Sequence, residues 1–171
     1  MLQGRINVGG FVAPAQNTVL FGCSEIFASA QMEAEFPRVL HALTVPEYME
    51  AWIQAPDTER IECRSDPRSF DRFRVHLFGA DGQRQTIHGS CLLTKPNRIT
   101  YVWNNSSAEE IPSLVETRLW SHPNRCTLRL RHSGVTRPDD QEWYSRMWRD
   151  SLVKLRALME GTGVRLLPEA D

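Results

Sequence analysis

Few residues in this chain have the types and spacing to do chemistry. His132 closes an alternating run, Cys126, Leu128, Leu130, His132, directly ahead of a long amphipathic segment. An imidazole there can serve as an acid or base, or donate to a ligand. The same placement suits a structural histidine bonded to backbone near the end of a strand, and this is the preferred reading. Tyr101 and Trp103 share a face with Ile99. Their phenol and indole N–H groups offer a pocket polar handles, while their rings suit core packing equally well. Trp52 and Trp148 read as packing anchors. Arg72, Arg74, Arg118, Arg129 and Arg131 recur at every second position, with Glu62 and Glu116 interleaved. That pattern fits a solvated outer face with cross-strand ion pairs better than a phosphate or nucleic-acid surface.

The motifs of several reaction classes are missing. No strained nucleophile turn accompanies a Ser-His-Asp or Cys-His set. There is no glycine-rich phosphate loop and no HExxH. The four cysteines, Cys23, Cys63, Cys91 and Cys126, lie far apart without metal spacing. They are expected to be reduced and mostly buried in a cytoplasmic protein. No catalytic residue, metal ligand or cofactor is therefore assigned. The net charge of −1, with both signs mixed along the chain, argues against nucleic acid or an anionic membrane as the main partner. No apolar run approaches the roughly 20 residues of a spanning helix.

These candidates need a frame. The 171 residues suit one domain with a sizeable core. Residues 1–22 read as a loosely ordered extension, residues 23–161 as the domain, and residues 162–171 as a tail. Residues 25–33 alternate as a strand. Phe36, Val39, Leu40 and Leu43 then take helical spacing, and a second short helix follows, with Thr44 as its expected cap. Six alternating segments come next, at residues 59–64, 70–78, 83–94, 98–103, 113–121 and 125–132. Turn signals separate them, among them Gly79-Ala80-Asp81-Gly82. Residues 138–161 carry the longest helical stripe: Tyr144, Met147, Trp148, Ser151, Leu152, Leu155, Leu158 and Met159. Asp139 and Glu142 stand in capping-box positions, and Gly161 suits the helix end. The expectation is an α+β fold, a curved antiparallel sheet of about seven strands whose apolar concave face is covered by the long helix. Trp148 and Leu152 should face the sheet, and Arg149 should not.

Three stretches, taken in order, resemble a known family. Residues 32–47 with Trp52 are similar to its opening, through Val39, Ala42-Leu43-Thr44 and Pro46-Glu47. Asp81-Gly82, Gly89, Pro96-Asn97-Arg98 and Tyr101-Val102-Trp103 are similar to its DG hairpin and Trp-ended strand. Thr127-Leu128-Arg129-Leu130-Arg131-His132-Ser133-Gly134, with Trp148, Leu152 and Leu155, is similar to its last strand and helix. The chain thus resembles the START-like (SRPBCC) helix-grip superfamily, in the branch of the heat-shock ATPase activator homologues. Ser69-Phe70 departs from a Gly-Gly pair that many members carry there.

The resemblance implies a cavity between helix and sheet for a hydrophobic small molecule, lipid-like or aromatic. Its expected lining is Trp52, Phe73, Val75, Ile87, Tyr101 and Trp103, with Val115, Leu128, His132, Trp148 and Leu152. A cavity enzyme of cyclase, dehydratase or hydrolase type is the alternative. It would need His132, Tyr101, Thr117 or His88 to converge, although alternation turns His88 away from Ile87. A co-chaperone-like contact with a chaperone is a second alternative, by analogy with the family alone, and a homodimer is a further expectation of the resemblance.

Overall fold

The computed structural model describes residues 18–22, 25–66, 69–105 and 112–161. In chain order the elements are β1 (Thr18–Gly22), β2 (Glu25–Met32), α1 (Phe36–Thr44), α2 (Pro46–Trp52), β3 (Arg60–Asp66) and β4 (Ser69–Phe78). They continue with β5 (Arg84–Lys95), β6 (Arg98–Asn105), β7 (Ser113–His122), β8 (Arg125–Ser133) and α3 (Pro138–Met159). The sheet order is β1-β2-β8-β7-β6-β5-β4-β3, antiparallel throughout. This is the expected helix-grip architecture.

Alternation sorts the side chains as the sequence implies. Ile26, Ala28, Ala30 and Met32 on β2, and Cys126, Leu128, Leu130 and His132 on β8, are buried on one face. Their neighbours Phe27, Gln31, Arg129 and Arg131 are exposed on the other. α3 packs most closely along β2, where Ala28 and Ala30 offer little side-chain bulk. Every residue of its expected stripe is buried, Trp148 and Leu152 at 1% exposure each, and Arg149 is exposed.

The sheet has eight strands rather than seven, because Thr18–Gly22 pairs with β2. The reading of residues 1–22 as a loose extension is corrected for this segment. Thr-Val-Leu-Phe has strong strand propensity, and β2 would otherwise leave its ladder of N–H and C=O groups at an edge. Residues 1–17 and 162–171 lie outside the described residues, as do Cys23 and the side chain of Phe70.

The expected caps are corrected too. Thr44 sits inside α1, where its hydroxyl donates to Leu40 O at 2.9 Å, and Val45 is the uncapped start of α2. α3 begins at Pro138 with Arg137 as its N-cap residue and no side-chain cap, so the capping box of Asp139 and Glu142 does not form. Asp139 and Asp140 still place negative charge at the positive end of the helix. At the other end Gly161 takes a φ of 71°, the left-handed conformation that stops a helix. Arg38 of α1 donates to Met159 O at 3.0 Å and Leu158 O at 3.3 Å, pairing two carbonyls that the helix end leaves open.

The opposite edge of the sheet is guarded. Glu50 and Glu47 of α2 accept from the backbone N–H groups of Cys63, at 3.0 Å, and Ser65, at 3.2 Å. These amides of β3 have no outer strand to bond, and the carboxylates occupy them in its place.

Gly89 has a packing role. The Phe73 ring lies directly over it, and a Cβ there would stand 2.2 Å from the ring's Cζ. Phe73 is held in turn against Tyr101 and Trp103, so it has little room to yield. Gly89→Ala is expected to cost about 1–3 kcal/mol in urea unfolding. In a Phe73→Leu background the added cost should shrink, because the two sites share one space. An unchanged unfolding midpoint for Gly89→Ala would count against this contact.

Candidate functional site

The concave face brings the expected residues together. Phe73 and Val75 on β4, Ile87 on β5, Tyr101 and Trp103 on β6, Val115 on β7 and Leu128 and His132 on β8 are each at most 3% exposed. Trp52 from α2 and Trp148 and Leu152 from α3 are equally buried. At the centre the rings meet. The centroid of Trp103 lies 5.9 Å from that of Phe73 and 5.5 Å from that of Trp148, while Phe73 and Tyr101 stand 6.2 Å apart.

His132 forms the middle of a buried polar chain. Trp148 Nε1 donates to His132 Nδ1 at 3.0 Å. Indole nitrogen can only donate, so Nδ1 must be the accepting nitrogen and Nε2 carries the proton. That proton is donated to Ser113 Oγ, 2.7 Å away. The Ser113 hydroxyl then donates to Trp103 O at 3.1 Å. Every donor in this chain has an acceptor. The imidazole also meets the Tyr144 ring edge-on at 4.6 Å and the Trp148 ring at 5.9 Å. The residue is 0% exposed, and burial pushes its pKa down to about 3, so the ring stays neutral at physiological pH.

This polarity bears on reactivity. A serine activated by histidine gives its proton to Nε2, and Nδ1–H faces a carboxylate. Here the direction is reversed: Nε2–H points at the serine, and Nδ1 faces a donor. The pair is therefore wired as a structural link. It has the structural role preferred from the sequence, but through Trp148 and Ser113 side chains where the sequence suggested backbone. Ser113 went unnoticed because it opens β7 as an ordinary polar residue. Its one sequence signal is its position, two residues before Val115, which pairs with His132 in the ladder.

Other polar handles are spent in the same way. Tyr101 OH donates to Leu43 O at the end of α1, and burial raises its pKa well above the usual phenol value. Trp52 Nε1 donates to Ala42 O at 2.8 Å. Ser151 Oγ accepts from Gln54 N at 2.8 Å and donates to Gln54 O at 3.2 Å. Ser151 and Tyr144, on the border of the α3 stripe, are thus tied to Gln54 and His132.

Two concave-face polar atoms differ. Trp103 Nε1 and Thr117 Oγ1 are buried and have no hydrogen-bond partner among the described residues. Both residues are at most 2% exposed. His88, as alternation implies, lies exposed on the outer face.

The three described cysteines, Cys63, Cys91 and Cys126, are free thiols. Burial raises the pKa of all three, that of Cys91 to about 11, which leaves them poor nucleophiles. Among the described residues no three His, Cys, Asp or Glu side chains converge to hold a metal, and no helix is long and apolar enough to cross a membrane.

On the outer face, ion pairs join β6 to β2. Glu116 bonds Arg98 and, at 3.3 Å, Arg131, which also bonds Glu25. Arg129 lies over the Trp120 ring at 5.2 Å. Phe27, Leu114, Trp120 and Val153 are exposed large apolar side chains, and they come from β2, β7 and α3.

Comparison with known proteins agrees with this architecture. The family described as Activator of Hsp90 ATPase homolog 1-like protein matches residues 33–160. Protein CV1439 from Chromobacterium violaceum is 23% identical, with a TM-score of 0.66 over 80% of this chain and 97% of that one. A protein from Arthrobacter aurescens is 13% identical, with a TM-score of 0.67 over 83% and 90%. CalU16 from Micromonospora echinospora is 22% identical, with a TM-score of 0.57 over 82% and 76%. At these identities the likeness is one of fold. No curated protein matches this chain.

The buried imidazole makes stability depend on pH. The ordinary histidine value is 6.5, and the folded value is about 3. Between them the unfolded chain binds a proton that the folded chain refuses, so stability falls as pH drops below 6.5. From about pH 7 to about pH 5 this group should remove about 2 kcal/mol. Urea midpoints of the native chain and of His132→Gln at both pH values check this. The pH-dependent loss should be smaller in the variant, and equal losses in both would refute the assignment.

Proposed function

This chain belongs to the family of Activator of Hsp90 ATPase homolog 1-like proteins, and from that premise we propose that it is a non-enzymatic binding module for a hydrophobic small molecule. The ligand sits between α3 and the concave face of β4 to β8. Its walls are Trp52, Phe73, Val75, Ile87, Tyr101, Trp103, Val115, Leu128, His132, Trp148 and Leu152. The observation that carries this reading is the pair of unpartnered polar atoms, Trp103 Nε1 and Thr117 Oγ1, on that otherwise satisfied face. Leaving such groups buried and unpaired costs about 1–3 kcal/mol each. A ligand with one or two oxygen acceptors removes that cost while its apolar part is taken out of water. Because the rings of Phe73, Trp103 and Trp148 touch, the occupant is flat or thin, an aromatic ring or an acyl chain that slips between them.

The reversed polarity of the Ser113–His132 pair supports binding over catalysis, since neither residue is set up to take a proton from a substrate.

Native mass spectrometry of the purified chain should detect an apolar molecule bound one to one. Titration with a fatty-acid probe should quench tryptophan fluorescence saturably. Trp103→Phe keeps an aromatic ring, smaller than the indole, but removes the N–H, and should weaken probe binding by about tenfold, the worth of one hydrogen bond to a charged acceptor. Absence of both the bound molecule and saturable quenching would sink the proposal. A mass of two chains in the same spectrum would report a homodimer. A co-purified chaperone would favour the protein-interaction reading.

A further inference from the structure

We infer that the outer face carries a second binding site. A groove over β4, β5 and β6 takes a small phosphate-bearing molecule, with Arg72, Arg74 and His88 around the phosphate and Asn104 accepting from a hydroxyl or N–H of the same molecule. This goes beyond the interior ligand and lies on the opposite side of the sheet.

The ladder builds the groove. Arg72 pairs with Ser90, which pairs with Val102; Arg74 pairs with His88, which pairs with Asn104. Outward-pointing side chains of directly opposite residues lie about 5 Å apart, and those two apart on one strand about 7 Å apart. The six positions therefore make one compact grid. Phe73, Gly89, Asp66 and Pro112 complete its lining. The depression has a volume of about 360 Å³, within the range of small-molecule sites.

Its charge is unbalanced. Between β6 and β2, Arg98 and Arg131 share Glu116 and Glu25. In the groove, Arg72 and His88 have no carboxylate partner among the described residues. Arg74 stands 3.9 Å from Asp66, the outer limit of an ion pair. It also faces Arg64 across the ladder, and like charges directly opposite are destabilising. Arg64 turns away to Glu50 at 2.8 Å. An anion between Arg72 and Arg74 would offset this repulsion, and guanidinium groups suit phosphate oxygens.

Asn104 supplies the other half of the argument. Its Oδ1 is buried without a donor among the described residues, and Asn104 lines the groove with the cationic side chains. Inorganic phosphate has only the hydroxyls on phosphorus to offer, which lie among the cations that hold it, whereas an organic phosphate brings a further hydroxyl or N–H on its carbon frame. The apolar side chains of Val102 and Pro112 in the lining suit the carbon frame of such a molecule.

The test is an NMR titration of the full chain with glycerol 3-phosphate, inorganic phosphate and glycerol, and vesicle binding with phosphatidate bilayers. Glycerol 3-phosphate should shift His88 and its ladder neighbours saturably and bind more tightly than inorganic phosphate, and glycerol should not bind. Arg72→Gln should weaken both phosphates by about tenfold or more. Asn104→Ala should erase the preference for glycerol 3-phosphate and leave inorganic phosphate unchanged. Arg129→Gln, on the same face outside the groove, should change nothing, and none of these variants should affect the fatty-acid probe. No saturable shift up to about millimolar ligand, or an equal effect of Arg129→Gln, would overturn the inference. Binding to phosphatidate vesicles without binding of the soluble phosphates would overturn it in favour of a lipid headgroup.

Discussion

The hydrogen-bonded chain from Trp148 through His132 and Ser113 to the carbonyl of Trp103 is the constraint on which the rest of the molecule depends. A helix with an indole on its inner face must find an acceptor for that N–H in a dry interior, or pay the cost of leaving it unpaired. His132 is the acceptor, fixed at the end of β8 and oriented by Ser113. The link sets the rotation of α3. Turning the helix by one residue would swing Trp148 by about 100° and break it. With that rotation set, Leu152, Leu155, Leu158 and Met159 fall on the sheet. The far end of the helix then meets Arg38, and Ser151 meets Gln54.

The same chain decides what the interior can do. A serine and a histidine 2.7 Å apart in a buried site invite a catalytic reading. The direction is not that of an activated serine: a donor on Nδ1 makes Nε2 the proton carrier, and both nitrogens of the neutral ring are engaged. Tyr101 and Trp52 are committed in the same manner to the carbonyls of α1. Aromatic residues with polar tips thus act here as pins between helices and sheet. The two faces of the sheet divide accordingly into an apolar interior with Trp103 Nε1 and Thr117 Oγ1 to spare, and an outer surface that carries the charges.

Much of this was legible in the chain. Strand alternation predicted which of Phe73 and Arg74, or His132 and Arg131, turns inward, because side-chain direction in a strand reverses at each residue. The α3 stripe predicted Trp148 against the sheet for the corresponding reason in a helix. The cap assignments failed at Thr44 and Asp139, since a short side chain caps only when the local backbone puts it there. The effective partners for open backbone groups came from elsewhere: Arg38 for the end of α3, and Glu47 and Glu50 for the edge of β3. In the sequence these three are ordinary surface charges. Thr18–Gly22 was likewise apolar enough for a strand, but only the edge of β2 gives it a partner.

The sequence by itself determined the elements from β2 to α3, their faces and the family, since periodicity and turn chemistry act within a few residues. Tertiary structure alone decided which nitrogen of His132 holds the proton, which handles are spent, and that Arg72, Arg74, His88 and Asn104 share one groove. Those outcomes turn on distances between residues far apart in the chain and on the direction in which each hydrogen bond runs. Composition and spacing carry neither.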